Sequence, residues 1–194
     1  QIGSKFFDSI TGHFAITLGA DCTLIGERIN NEGVEFIRTL SFFLDGKISN
    51  NMEFPLKGSP CEMTLAQGLC SFPRGIQMLF PGDSVLLRLG IEGYVGVQLA
   101  DSAGMPLGVL LALYRSPIED VEFAESILQI FAARAAAEIE RKRVEEERLR
   151  LVTAVEQAGE SILITDPAGR VLYCNPAFEE TTGYSSREVL GETS

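Results

Sequence analysis

The sequence predicts an α+β protein in which helices flank an antiparallel sheet, followed by one long helix of the coiled-coil type and a shorter strand-and-helix segment. Three observations lead to this prediction. Two pairs of strand-like stretches are each joined by a turn, forty residues without glycine or proline follow, and a new strand pattern begins after Gly159. The 194 residues therefore divide into a sheet domain at 1–118, a helix at 119–158 and a further segment at 159–194.

The sheet domain begins with a helix, because apolar residues recur at helical spacing from Phe7 to Leu18 and Gly19 is placed to end it. Strands are predicted at residues 22–29, 34–44, 93–100 and 107–114. The last of these strands is almost continuously apolar, which predicts a central position covered on both faces. Between the two pairs, residues 59–62 (SPCE) indicate the start of a short helix, with a capping box formed by the serine and the glutamate.

A single helix is predicted over residues 119–158. Forty residues extend about 60 Å at 1.5 Å per residue, which is longer than the sheet domain, so the far part of the helix needs a partner. We expect a second copy of the chain, paired in parallel as a homodimer. The residues expected to line this contact are apolar and follow 3-4 spacing: Ala124, Leu128, Phe131, Ala135, Leu149 and Val152. Replacing Leu128 or Phe131 with glutamate is therefore expected to give monomers whose sheet stays folded.

The segment after Gly159 starts with two short strands around a turn at residues 166–169 (DPAG). Asn175 and Pro176 then open a helix, since asparagine is a favoured N-cap and proline suits the first helical position. These few residues are too short to close an independent core.

Several short signatures resemble known sensor domains. Residues 4–140 resemble a GAF domain of the bacterial sensor type, and the stretches that carry this resemblance are 36–42 (FIRTLSF), 55–62 (PLKGSPCE), 93–97 (GYVGV), 101–104 (DSAG) and 107–110 (LGVL). Residues 148–194 are similar to the start of a PAS domain. The PAS-like stretches are 162–166 (ILITD), 169–173 (GRVLY), 175–178 (NPAF), 182–184 (TGY) and 188–191 (EVLG).

The two resemblances together imply the sensory region of a bacterial signal-transduction protein. A small ligand would bind the GAF domain, and the dimeric helix would relay the change to a histidine kinase or diguanylate cyclase output that this sequence does not contain. Such a relay is a population shift, in which the ligand favours one of two arrangements of the helix pair. The pocket candidates are Phe43, Cys61, Cys70 and Tyr94, without an assigned ligand, cofactor or catalytic residue. Asn175 matches the PAS asparagine that ties a strand end to the next helix.

Two alternatives remain open. Cys61 lies at a predicted helix start, where the positive end of the helix dipole can lower the pKa of a thiol, and Cys70 follows nine residues later. The pair could form a redox sensor, or an enzyme resembling the GAF-type free methionine sulfoxide reductases. Those enzymes also use a further cysteine, which the region around Gly93 lacks. The second alternative is a GAF domain without a ligand, which serves only as a dimerisation spacer.

Composition excludes other classes of function. The net charge is −11 and none of the three segments is net basic, so we expect no nucleic-acid partner and no membrane contact. No run of about 18 apolar residues could span a bilayer. The four cysteines are widely spaced and His13 is the single histidine, which favours reduced thiols, a cytoplasmic location and no metal site.

Overall fold

A computed structural model describes residues 2–193 of the chain, with side chains from Lys5 onward. It confirms the α+β class and divides the chain into two compact units, Gln1–Lys142 and Arg143–Ser194. The division falls inside the long helix, which the sequence predicts as a segment of its own. Among the described residues, no helix is both long and apolar enough to cross a membrane.

The sheet of the first unit is antiparallel throughout, with the strand order β3-β2-β1-β7-β6-β5 and with β4 paired to β2. Its strands are β1 Cys22–Asn31, β2 Val34–Leu44, β3 Lys47–Ser49, β4 Glu53–Pro55, β5 Leu69–Phe72, β6 Gly93–Ala100 and β7 Pro106–Tyr114. The helices are α1 Ile2–Leu18, α2 Pro60–Gln67, α3 Ile76–Leu79, α4 Ser84–Leu89 and α5 Val121–Glu156. Strand β7 lies between β1 and β6, which confirms its predicted central position.

Strands β1 and β7 approach each other closely at two glycines. A β carbon added to Gly108 would overlap the carbonyl oxygen of Gly26 and lie 2.9 Å from the α carbon of Glu27. Gly26 itself follows a β-bulge in β1, and a β carbon there would overlap the side chain of Ile37. Both positions therefore require glycine for space, because a side chain would push the strands apart.

Each face of the sheet carries its own buried cluster. On one face, helices α1 and α5 pack against β1, β6 and β7 through residues such as Phe14, Leu110 and Leu128. On the other face, which we call the α2–α4 face, the three short helices and β4 cover residues such as Leu24 and Leu111. The alternation of side chains along each strand supplies both clusters from the same strands.

The inner side of α5 belongs to the core of the first unit, which corrects part of the predicted dimer contact. Ala124, Leu128 and Ala135 are almost fully buried against this unit's own sheet, so a second chain cannot reach them. Phe131, Leu149 and Val152 remain exposed. The sheet competes with a partner helix for the same apolar stripe, and in this structure the sheet covers it.

Helix α2 starts where it was predicted, but its cap differs. The Ser59 hydroxyl donates to the carbonyl of Leu56 at 2.7 Å instead of capping the helix. The Glu62 carboxylate accepts from the backbone N–H of Gly58 at 2.8 Å, one residue before the predicted partner. The predicted capping box is therefore wrong, because the tight turn at residues 56–59 draws both side chains to its own backbone groups.

The second unit contains a two-stranded antiparallel sheet and two short helices beside the end of α5. Its elements are β8 Leu163–Thr165, β9 Val171–Cys174, α6 Pro176–Thr182 and α7 Ser186–Val189. Asn175 is fully buried and caps α6 by accepting from the N–H of Phe178 at 3.1 Å. It also accepts from the N–H of Ile162 at 2.8 Å and donates to the carbonyl of Glu160 at 2.9 Å. The side chain thus ties the strands to the helix start, which is the role that the PAS resemblance implies.

Candidate functional site

Three of the four predicted pocket residues come together on the α2–α4 face. Cys61 from α2, Cys70 from β5 and Tyr94 from β6 are all buried in the same cluster. Phe43 does not join them: its ring lies beside Gly12 of α1, on the other face of the sheet, whereas the neighbouring Phe42 points into the α2–α4 cluster. Phe43 is therefore wrong as a pocket residue, because successive residues of a strand point to opposite faces.

The Tyr94 hydroxyl is the polar centre of this site. Its oxygen lies 2.7 Å from the Thr64 hydroxyl and 3.9 Å from the sulfur of Cys61. Thr64 donates its own proton to the carbonyl of Pro60 at 3.1 Å, so Tyr94 donates to Thr64. The phenol ring has room because the next residue on the same side of β6 is Gly96, where a β carbon would overlap the phenol oxygen.

Sequence reasoning missed Thr64, Gln67 and Gly96. Thr64 follows Cys61 by three positions along α2, which places these two buried residues on one side of the helix, and the exposed Gln67 is the last residue of α2. The Cys70 sulfur lies 3.3 Å from the side-chain oxygen of Gln67. The interval of three could have pointed to Thr64, whereas nothing in the sequence links Gly96 to the ring of Tyr94.

Burial makes the two thiols poor nucleophiles. It raises the pKa of the Cys61 thiol to about 12 and also raises the pKa of Cys70, because a thiolate loses its hydration in an apolar cluster. The predicted lowering of the Cys61 pKa by the helix dipole is therefore wrong, since burial outweighs the dipole at this helix start. The high pKa disfavours thiolate chemistry at neutral pH.

Iodoacetamide should therefore label the folded chain slowly. The raised pKa of Cys61 leaves far fewer of its thiols ionised at pH 8 than for a free cysteine. Mass spectrometry of the labelled peptides should show slow reaction at all four buried cysteines, and fast reaction at all four in urea. Fast labelling of Cys61 alone in the folded chain would instead support the redox alternative.

Tyr94→Phe should lower the free energy of unfolding by about 1 kcal/mol, because one buried hydrogen bond to Thr64 is lost. Thr64 keeps its bond to Pro60, so no buried donor is left without an acceptor. Urea unfolding measures the change, and Tyr184→Phe, at an exposed tyrosine of the second unit, is the matched control. Equal stability of Y94F and the unchanged chain would contradict the assigned hydrogen bond.

Strand β5 connects this site to α5. Cys70 points into the α2–α4 cluster, and the adjacent Ser71 points to the other face. There the Ser71 hydroxyl donates to the carboxylate of Glu125 on α5 at 2.5 Å. A four-residue edge strand therefore joins the candidate site to the first turns of α5.

Comparison with known proteins assigns a fold to each part of the chain. The PAS fold family model matches residues 149–194. No curated protein sequence matches the chain significantly. Among solved structures, the free methionine-R-sulfoxide reductase of Neisseria meningitidis in complex with its substrate aligns with a TM-score of 0.58 at 14% identity, over 74% of this chain and 81% of its own.

Two GAF domains align similarly. The blue-light-absorbing form of the PixJ GAF domain from Thermosynechococcus elongatus gives a TM-score of 0.56 at 12% identity, over 78% of this chain and 92% of its own. The nlh2 GAF domain of A. aeolicus, in an inactive state, aligns with a TM-score of 0.55 at 14% identity, over 72% of this chain and 85% of its own. The chain thus contains the GAF fold and, from residue 149, a segment that matches the PAS fold. Reductases share the GAF fold, so the fold alone does not separate sensor from enzyme.

Proposed function

We propose that this chain is the sensory region of a signal-transduction protein, with a GAF-type unit that binds a small ligand and a helix that passes the signal on. The observation that carries this proposal is the order of parts: a GAF fold, then α5, then a segment that matches the PAS fold. Two sensor folds in series on one continuous helix suit regulation better than they suit a free-standing enzyme.

The α2–α4 face is the proposed ligand site. Its buried side chains are uncharged, and the Tyr94 and Thr64 hydroxyls are polar groups at its centre. Such a lining suits a small, uncharged and largely apolar molecule that makes one or two hydrogen bonds. A ligand here would displace Tyr94 or the side chains around it, and the displacement would reach Cys70 on β5.

Strand β5 supplies the route from the site to the helix. Because Ser71 holds Glu125, a shift of β5 changes the position of α5 relative to the sheet. A ligand that favours one of the two positions shifts their populations by its difference in affinity for them. The Ser102 hydroxyl gives α5 a second polar anchor by donating to Glu140 at 2.8 Å.

The working unit is proposed to be a homodimer formed by α5. The outer side of this helix carries exposed apolar residues, among them Phe123 and Ile130. A groove of about 530 Å³ between α1 and α5, lined by Phe6, Phe14 and Phe131, extends this apolar surface. A second copy that buries the stripe and the groove would form a helical bundle.

The output is proposed to be a histidine kinase or a diguanylate cyclase attached to this sensory region. Its place in the cell is proposed to be the cytoplasm, since the four cysteines are free and buried. The thiol enzyme is not proposed, because burial raises the pKa of both candidate cysteines.

Native mass spectrometry tests this function directly. We expect a species of about 42 kDa, which is twice the chain mass of 21.1 kDa, carrying one small adduct per chain. Thr64→Val, which keeps the side-chain shape but removes the hydroxyl, should weaken or lose the adduct, and Thr181→Val, at an exposed position of α6, should keep it. A dimer without adduct would favour the ligand-free spacer, and a chain that stays monomeric would contradict the proposed relay.

A further inference from the structure

Two columns of residues run along the outer side of α5, each with a spacing of seven. The first, which we call the apolar column, consists of Phe123, Ile130, Ala137, Val144 and Leu151. All five are exposed, and Ile130, Val144 and Leu151 leave 68%, 64% and 58% of their surface in solvent. The second, which we call the arginine column, consists of Arg134, Arg141 and Arg148.

The two columns together form a heptad pattern. Each arginine follows an apolar-column residue by four positions and precedes the next one by three, so the columns occupy the two core positions of a coiled coil. The positions equivalent to the arginines at the two ends are apolar, with Ile127 before the column and Val155 after it. The inner residues of α5, such as Leu128, point the other way, into the sheet.

We propose that the arginine column sets the register of a parallel pair of α5 helices, with a second copy of this chain as the partner. This inference rests on the proposed homodimer and adds the residues that determine how its helices align. A polar residue at a coiled-coil core position commonly fixes register and oligomeric state, at a cost in stability.

Glutamates beside the arginine column make the pair self-complementary. Within one chain, Arg141 binds Glu138 at 2.6 Å and Arg148 binds Glu145 at 3.1 Å. Both glutamates stand at flanking positions of the heptad. On the opposite flank, Glu140 directly precedes Arg141 and Glu147 directly precedes Arg148. In a parallel pair, each of these two glutamates lies beside the equivalent arginine of the second copy.

Other alignments lose this compensation. An antiparallel pair places each guanidinium against the apolar column of the partner, where the charge loses water and gains no carboxylate from the partner chain. A parallel pair shifted by one heptad leaves Arg148 opposite Val155 and Arg134 opposite Ile127. The in-register parallel pair alone sets each arginine beside its counterpart, with Arg141 and Arg148 also between glutamates.

The orientation of the pair is tested by cysteine cross-linking of the full chain. Ala137→Cys lies in the middle of the apolar column and should form an interchain disulfide readily under mild oxidation, because equivalent core residues of a parallel pair adjoin. Ala133→Cys, at a flanking position that faces away from its counterpart, is the matched control and should cross-link at least tenfold more slowly. Equal rates would overturn the parallel alignment.

The role of the arginines is tested by sedimentation equilibrium. The double variant Arg141→Leu with Arg148→Leu should tighten the dimer at least tenfold, because apolar residues replace charges in the core of the pair. The matched control replaces Gln129 and Thr153 with leucine, at exposed positions of α5 outside the contact between the two helices, and should leave the dissociation constant within twofold. If the original chain dimerises but both double variants have the same dissociation constant, the inference about register is wrong, whereas the proposed dimer is supported. If the original chain is monomeric at every concentration, the proposed dimer itself is wrong.

Discussion

Replacing Gly108 with valine should unfold the first unit. A β carbon at this position would overlap the Gly26 carbonyl oxygen and lie 2.9 Å from the α carbon of Glu27, and both are backbone atoms of the paired strand. Backbone cannot move aside as a flexible side chain can, so β1 and β7 would have to separate at the centre of the sheet. We expect a loss of more than about 4 kcal/mol of stability, which is exceptional for one substitution.

Circular dichroism and urea unfolding would measure this effect. Gly82→Ala is the matched control, because its β carbon would meet no atom within 4 Å and its backbone angle suits any residue. The control should change the free energy of unfolding by no more than about 0.5 kcal/mol. A folded G108V chain of ordinary stability would show that β1 and β7 are spaced more widely than described.

Leu128→Glu should also unfold the first unit, whereas Ile130→Glu should leave it folded and give monomers. Leu128 has no exposed surface and packs in the core between α5 and the sheet, so a glutamate there buries an unpaired carboxylate. Ile130 lies in the apolar column and is 68% exposed, so a glutamate there stays in water within one chain. In a dimer the same glutamate would lie in the contact between the two α5 helices.

The two variants are compared by circular dichroism for folding and by light scattering for mass. This outcome replaces the expectation from the sequence that L128E would separate folded monomers. We expect a destabilisation of several kcal/mol for L128E, the size known for charges buried without a partner, and less than about 0.5 kcal/mol within the I130E monomer. A folded L128E chain, or a dimeric I130E chain, would contradict the assignment of inner and outer sides.

The same helix shows why part of the structure could be predicted and part could not. Its length follows from the absence of glycine and proline, and the predicted 119–158 differs little from the observed Val121–Glu156. Which of its faces is buried is harder to predict, because apolar stripes with helical spacing run along two opposite sides of the helix. The stripe that contains Leu128 and the stripe that contains Ile130 are equally regular in spacing. Only the position of the sheet decides which of the two stripes is buried.

The candidate site shows the same limit. Strand alternation establishes that Phe42 and Phe43 point to opposite faces, but it does not tell which face holds Cys61 and Tyr94. The helix start at Cys61 was predicted, whereas the direction of its pKa shift was wrong, because the depth of burial depends on residues distant in the sequence. Local patterns predicted the elements, and contacts between distant segments decided the chemistry.

The pairing of β1 with β7 has a consequence for how the chain is made. Cys22 lies opposite Leu113, so the first strand leaves the ribosome roughly 80 residues before its central partner is complete. At about 5–20 residues per second, that interval lasts roughly 4–16 s. During this time the edge of β1 that later bonds to β7 is unpaired, and the apolar side chain of Leu24 lacks the short helices that finally cover it. The nascent β1–β2 hairpin is therefore a stage with an open strand edge, which can serve as a template for pairing with another chain.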